Sequence, residues 1–148
     1  MSALPAVEYR SDLAGITADR LTGGFFEGWP SPPTPDGHLR HLRGCEVLEL
    51  AVDPATGDVV GFCSAVGDGG TVAFIPLLEV LPAWRGQGIG TELVRRMLAR
   101  LDDRYSIDLV CDEDVVAFYE RLDGIAGRAV LWRRPGAGFG QERDVNTP

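Results

Sequence analysis

Long hydrophobic runs are missing from this chain. No apolar stretch in its 148 residues approaches the ~20 needed to cross a bilayer, so no membrane partner is expected. Cysteine is scarce. Cys45, Cys63 and Cys111 are odd in number, widely spaced and without a C-x-x-C pattern, so they read as reduced core cysteines and not as a disulfide framework or metal ligands. Positive charge is short too: 14 basic against 22 acidic residues leave a formal charge of −8. A nucleic-acid partner would need a basic face, and none is expected. A cationic amine, by contrast, would be drawn by such a field. Glu8 and Arg10 interrupt the start before a hydrophobic signal region could form, which points to a cytoplasmic protein. The G-x-S-x-G of a nucleophile elbow is absent, which argues against a serine hydrolase. So are internal repeats and any linker long enough to divide two domains.

What remains is the composition of an ordinary globular domain, 45% hydrophobic and 24% charged, long enough to bury its own core. Ala6 to Arg10 reads as a short first strand, and Thr17 opens a short helix toward Gly23. Four prolines within Pro30–Pro35 predict that Gly28 to Gly37 is irregular, with a second short helix from Gly37 to Arg43. Cys45–Val52 and Asp58–Val66 read as strands around the turn 53–57, and Gly67-Asp68-Gly69-Gly70 leads to a third, Val72 to Leu81. A long helix follows, then a strand at Ile107–Cys111, a helix from Glu113 to Leu122 and a last strand around Arg128–Arg133. Antiparallel strands first and a β-α-β-α-β half afterwards make a mixed α/β fold. Residues 1–134 are expected to form one domain and the Gly-rich, polar residues 135–148 a flexible tail.

The most informative stretch runs from Leu78 to Thr91. Pro82 stops the strand, and Gly86, Gly88 and Gly90 then open the long helix. Ile89, Leu93 and Met97 line one side of it, with Val94, Leu98 and Leu101 beside them; Glu92, Arg95, Arg96 and Arg100 fall opposite. Strand, glycine turn and helix start together form an anion cradle. N–H groups without helical partners point outward, the helix dipole adds positive potential, and glycine lets a phosphate come close. A mononucleotide P-loop would end in Gly-Lys-Ser/Thr, whereas this loop ends Gly90-Thr91-Glu92. A dinucleotide loop fits better because Asp112 lies where a ribose-binding acid could be. Against it, Thr91 holds the third glycine's place, Pro82 to Arg85 intervene between strand and glycines, and little sequence is left for a further βαβ unit.

Here the chain resembles the GNAT superfamily of acyl-coenzyme A-dependent N-acetyltransferases. Arg85-Gly86-Gln87-Gly88-Ile89-Gly90 matches the family's Arg/Gln-x-x-Gly-x-Gly/Ala. Val80 and Pro82 match the end of the preceding strand, and Phe118-Tyr119-Glu120-Arg121-Leu122 is similar to the family's Phe-Tyr-Glu-Lys-Leu. The resemblance implies the GNAT fold, a mostly antiparallel sheet with a splayed parallel strand pair and flanking helices, and acetyl-CoA as co-substrate with no metal. It implies an amine acceptor, either a small molecule or an amino terminus, and leaves a homodimer open. Carried over residue by residue, it assigns coenzyme contacts to Leu78, Val80, Arg85, Gly86, Gln87, Gly88, Ile89, Gly90 and Thr91. The Val80 N–H would meet the acetyl carbonyl, and the N–H groups of 87–91 the pyrophosphate.

Tyr119 matches the family tyrosine that protonates the departing thiolate, against the alternative that it only packs. Asp112 stands where the family often has a coenzyme-binding asparagine. The family's usual base positions are held here by Phe74 and Pro76, which leaves Glu79 as the strand's ionisable residue, either base or structural glutamate. Strict alternation would turn it away from the direction of Phe74 and Pro76, and a bulge would re-aim it. Trp29, Phe25 and Phe26 either wall an amine pocket or cover the sheet. His38 and His41 read as solvated, and Asp123 as an insertion that lengthens the turn after the last helix. A GNAT-fold module that holds acyl-CoA without turnover is the competing expectation.

Overall fold

The computed structural model describes residues 6–134; the tail expected at 135–148 lies outside the described residues. Five strands form one sheet in chain order: β1 (Glu8–Arg10), β2 (Val47–Val52), β3 (Val59–Gly67), β4 (Val72–Val80) and β5 (Ser106–Asp108). The first four run antiparallel, and β5 is parallel to β4. The fold is therefore mixed α/β, as expected. Its tight turns are closed by aspartates. Asp53 accepts from the N–H of Ala55 at 2.9 Å and, through its carbonyl, from Gly57 at 2.7 Å. Asp68 Oδ1 takes the N–H groups of Val72 (3.0 Å), Thr71 (2.7 Å) and Gly70 (3.0 Å), which hold its carboxyl well below the usual carboxylate range.

Two layers of side chains cover the sheet. Helix α1 (Pro35–Gly44) belongs to one face, where Leu39 and Leu42 pack with Leu50, Phe62 and Leu77. Helix α2 (Ile89–Arg100) covers the other with Ile89, Leu93 and Met97 against Ala51, Cys63 and Ile75. Arg95 and Arg96 are exposed, as the periodicity predicts, while Arg100 reaches back to the Leu48 carbonyl at 3.0 Å. Beneath α2 the wholly buried Glu49 accepts from Ser11 Oγ (2.8 Å) and pairs with Arg100 (3.2 Å). The start of α1 corrects the expectation that prolines keep 28–37 irregular. Pro35 sits in the first turn, where its missing N–H removes no helical bond, and Thr34 Oγ1 caps the helix by accepting from Gly37 N at 3.1 Å.

Strand β4 changes phase half-way. Ser64 pairs with Leu77 and Val66 with Phe74, so Ala65 alone faces Ile75 and Pro76. This is a bulge at a proline, which has no N–H to give to the ladder. Before it, Ala73 and Ile75 face α2; after it, Leu78 and Val80 do, and Leu77 faces the α1 side.

The last part of the chain departs most from the sequence reading. The helix expected at Glu113–Leu122 is a 3₁₀ turn (Glu113–Val115) followed by a short α3 (Val116–Glu120). It ends in a Schellman cap, Gly124 N to Tyr119 O at 3.0 Å and Asp123 N to Glu120 O at 3.1 Å, with Asp123 at φ 68°. Asp123 therefore forms the cap itself. The strand expected at Arg128–Arg133 does not form: residues 125–134 lie outside any ladder, with Ile125 97% and Trp132 80% exposed. A strand needs an edge to pair with, and within the described residues this segment reaches none. For the same reason β5 ends at Asp108 and not at Cys111, because Leu109–Cys111 have left β4 behind.

Candidate functional site

Strands β4 and β5 pair only through Val72–Phe74 and Ser106–Asp108. Beyond Phe74 they separate, and the β5-side edge of Ile75–Val80 has no strand beside it among the described residues. Next to this opening lies a cleft of about 930 Å³, with Phe74, Ile107, Cys111 and Tyr119 in its walls. The bulge and the splay occur at the same level of β4, so the strand stops pairing on one edge where its side chains change face.

The glycine loop closes the same end of β4. Arg85 Nε donates to the Val80 carbonyl at 2.9 Å and folds the loop back onto the strand. Gly86 (φ 75°) and Gly88 (φ 83°) adopt left-handed backbone, which is the reason for glycine at both. A Cβ at either would meet nothing within 4 Å, so the outer side of the loop is open. The first helical bond of α2 is Glu92 N to Gly88 O at 3.0 Å, and among the described residues no side chain caps the helix. The N–H groups of Ile89, Gly90 and Thr91 are thus available to an anion, with the helix dipole behind them. Among the described residues Gln87 Oε1 is buried without a hydrogen-bond partner, an acceptor that calls for a donor and adds nothing to an anion site. The free N–H groups and the open glycine side of the loop fit a phosphate-bearing ligand.

The loop, the strand end and α3 meet at Gly90, where an added Cβ would lie 3.8 Å from both the Val80 and Phe118 side chains. Tyr119 follows, its ring 4.9 Å from that of Phe118. Among the described residues its hydroxyl makes no hydrogen bond. Burial, with smaller contributions from Cys63 and Cys111, pushes the phenol up to about 12, so it stays protonated at physiological pH.

A model of the acetyltransferase (GNAT) family matches residues 17–124, most of the chain. The chain belongs to the GNAT family. GNAT enzymes use acetyl-CoA as co-substrate. A Deinococcus radiodurans protein described as a candidate acetyltransferase superimposes on this GNAT chain with a TM-score of 0.90 at 45% identity, covering 97% of this chain and 99% of its own. Glucosamine-6-phosphate N-acetyltransferase from Arabidopsis thaliana shares the fold alone (TM-score 0.63, 16% identity, covering 87% of this chain and 97% of its own). The chloroplastic GCN5-related N-acetyltransferase 3 of Arabidopsis thaliana is 39% identical over 73 residues, 48% of this chain; the aligned part spans 31% of that relative's length.

On the α1 side of this GNAT sheet, Glu79 is re-aimed by the bulge. It is half-buried, and its Oε2 accepts from the Phe26 N–H at 2.9 Å. Burial raises its pKa, opposed by that N–H and by Arg85. Phe26 sits in left-handed backbone (φ 64°) and is 3% exposed, packed on Phe62 and His38. Phe25 is partly buried against both cores, and Trp29, 41% exposed, stacks edge-on against Phe26. Leu78 faces α2, and Asp112 is exposed at the start of the 3₁₀ turn. The structure therefore sets Gly90 of the loop against Val80 and Phe118, puts Tyr119 in the wall of the cleft, which neither Val80 nor the loop lines, and sets Glu79 with the aromatic loop on the α1 side of the sheet.

The histidines correct the sequence reading. His38 is 1% exposed, its Nε2 has no partner among the described residues, and burial, with a smaller contribution from His41, pulls it down to about 4. His41 is half-buried and bonds Ser64 Oγ through Nε2 at 3.0 Å. His38 lies one turn before Leu42 on the apolar side of α1, and that spacing was the available signal. Cys63 is a core thiol pushed up to about 12 by burial first, then by Glu49 and Cys45, whereas Cys45 and Cys111 are half-buried. Among the described residues no group of three His, Cys, Asp or Glu could hold a metal ion.

Proposed function

We propose that residues 1–134 form one acetyl-CoA-dependent N-acetyltransferase domain acting on a primary amine, either a small molecule or an amino terminus, in the cytoplasm. The observation that carries this reading is the meeting at Gly90 of a helix start without a side-chain cap, the end of β4, and Phe118 of α3, whose neighbour Tyr119 is half-buried with no hydrogen bond to its hydroxyl among the described residues. Arg85 to Thr91, with Leu78 and Asp112 alongside, hold the coenzyme, its pyrophosphate lying on the free N–H groups of α2. The Val80 N–H polarises the thioester carbonyl. The neutral amine attacks that carbon, forming the C–N bond, and Glu79 takes its surplus proton directly or through water. Collapse breaks the C–S bond, and the departing thiolate takes the Tyr119 proton. Phe25, Phe26 and Trp29 shape the acceptor side, where the net negative charge favours a cationic amine.

Free-thiol release from acetyl-CoA, measured across an amine panel and against buffer, tests the reading. Amine-dependent release is expected, and Tyr119→Phe is expected to keep coenzyme binding while lowering turnover roughly ten- to a thousandfold. Unchanged kcat would return Tyr119 to packing. One observation favours a second reading, an acyl-CoA-holding module: an oxygen of Glu79 is already committed to Phe26. Calorimetric binding of acetyl-CoA with no thiol release for any amine would select it.

A further inference from the structure

On the α1 side a cavity of about 200 Å³ lies between residues 21–26 and the start of α1. Buried Leu21, Phe26 and His38 make its floor, and exposed Gly24, Pro32 and Pro35 its rim. Among the described residues no Asp, Glu, Lys or Arg lines it. The Thr22 hydroxyl in its wall already donates to the Asp19 carbonyl at 3.1 Å. His38 is different. It is 1% exposed, and its Nε2 is closed to bulk water with no hydrogen-bond partner among the described residues. A buried polar atom left unpaired is costly and rare, so its presence in a cavity wall asks for a ligand atom. Phe25 and Phe26 stand edge-on to the imidazole, with ring centroids at 5.2 and 4.9 Å.

We propose that this cavity takes the hydroxyl-bearing aromatic ring of a primary amine, with His38 Nε2 bonded to the ring hydroxyl, a site that rests on the acetyltransferase reading only for the fate of the amine. The preferred acceptor is then an amine on a short arm from a phenol. Size selects a ring. An apolar cavity of about 150 Å³ holds benzene, and 200 Å³ leaves room for one substituent. The aromatic and proline walls suit a planar face, which extends the edge-to-face cluster around His38. Burial keeps the imidazole neutral at physiological pH, with a hydrogen at Nε2 in one tautomer and a lone pair there in the other. A hydroxyl serves either tautomer. A carboxylate or an ammonium would be stranded in the cavity without an opposite charge, so the amine stays outside. Phe26 ties the two ends together, since it lines the cavity and its N–H is held by Glu79 Oε2 at 2.9 Å. The ring therefore discriminates among amines, while the negative charge of the chain attracts all of them alike.

Nuclear magnetic resonance of the histidine-labelled full chain, without acetyl-CoA, tests the site, and thiol release tests transfer separately. Tyramine is expected to move the His38 Nε2 resonance. It is also expected to bind roughly 5- to 150-fold more tightly than phenethylamine, the range for leaving one buried polar atom unpaired. With acetyl-CoA present, kcat/KM is expected to favour tyramine over phenethylamine to a similar degree, and over putrescine by more. In His38→Leu the tyramine-to-phenethylamine ratio is expected to fall to about one, because no polar atom is left to pair. Tyramine that moves His38 with no thiol release from any amine keeps the site and rejects the transferase reading. An unmoved His38 resonance, equal affinity for the two ring amines, or a ratio that survives His38→Leu overturns the proposal. The first two are read on the parent protein and decide the matter if the variant fails to fold.

Discussion

Asp123 and Phe26 hold left-handed backbone without being glycine, each for a different reason. Asp123 is the αL residue of the Schellman cap on α3, where short polar side chains are tolerated but glycine is preferred. Asp123→Gly is expected to stabilise the protein by about 0.5–1 kcal/mol, seen as a higher denaturant midpoint at constant slope. Phe26 is held by the core and by Glu79, which gives Glu79 two separable duties. Glu79→Gln keeps an oxygen for the Phe26 N–H, whereas Glu79→Ala removes it. If Glu79 is the base, Glu79→Gln keeps the melting temperature and loses the acidic limb of kcat/KM, a limb that burial moves upward from the ordinary glutamate position. Retention of full activity and of that limb would leave Glu79 with the structural duty alone. The sequence shows an acid in an apolar strand, but the Phe26 N–H that meets it lies 53 positions away and no local pattern reveals it.

At the scale of elements, what depends on near neighbours was readable: the glycine loop, the amphipathic α2, the aspartate turns and the antiparallel order. Gly88→Glu bears on the loop directly. It puts a side chain into left-handed backbone and a negative charge at a helix start, so acetyl-CoA affinity measured by calorimetry is expected to fall by more than about tenfold. Equal affinity would remove the loop from the coenzyme site. The misread elements are those whose state is set by a partner. Proline density around 30–35 hides that Pro35 is harmless in a first helical turn. Leu109–Cys111 and Arg128–Arg133 have strand composition, but β-propensity describes a surface ready to pair and does not supply the pair.

For the molecule as a whole, His38 sets an acid limit. Its folded value is near 4, below the ordinary histidine range, so between about 6.5 and 4 the unfolded chain binds the extra proton and stability falls as pH drops. The loss is of the order of 3 kcal/mol across that window. His38→Leu is expected to flatten the slope of unfolding free energy between pH 4.5 and 6.5, roughly the same window, as read by urea denaturation. The order of the sheet has a further consequence. Strands stand side by side in the sequence in which a ribosome delivers them, and the sheet grows at one margin only. Once α1 has emerged, β2 meets β1, and each later strand arrives beside a neighbour already made. The β4 margin waits through the synthesis of α2 before β5 reaches it, and the walls of the cleft are assembled last. Nascent chains stalled after Arg100 should therefore already resist proteolysis in the meander while they lack the cleft altogether.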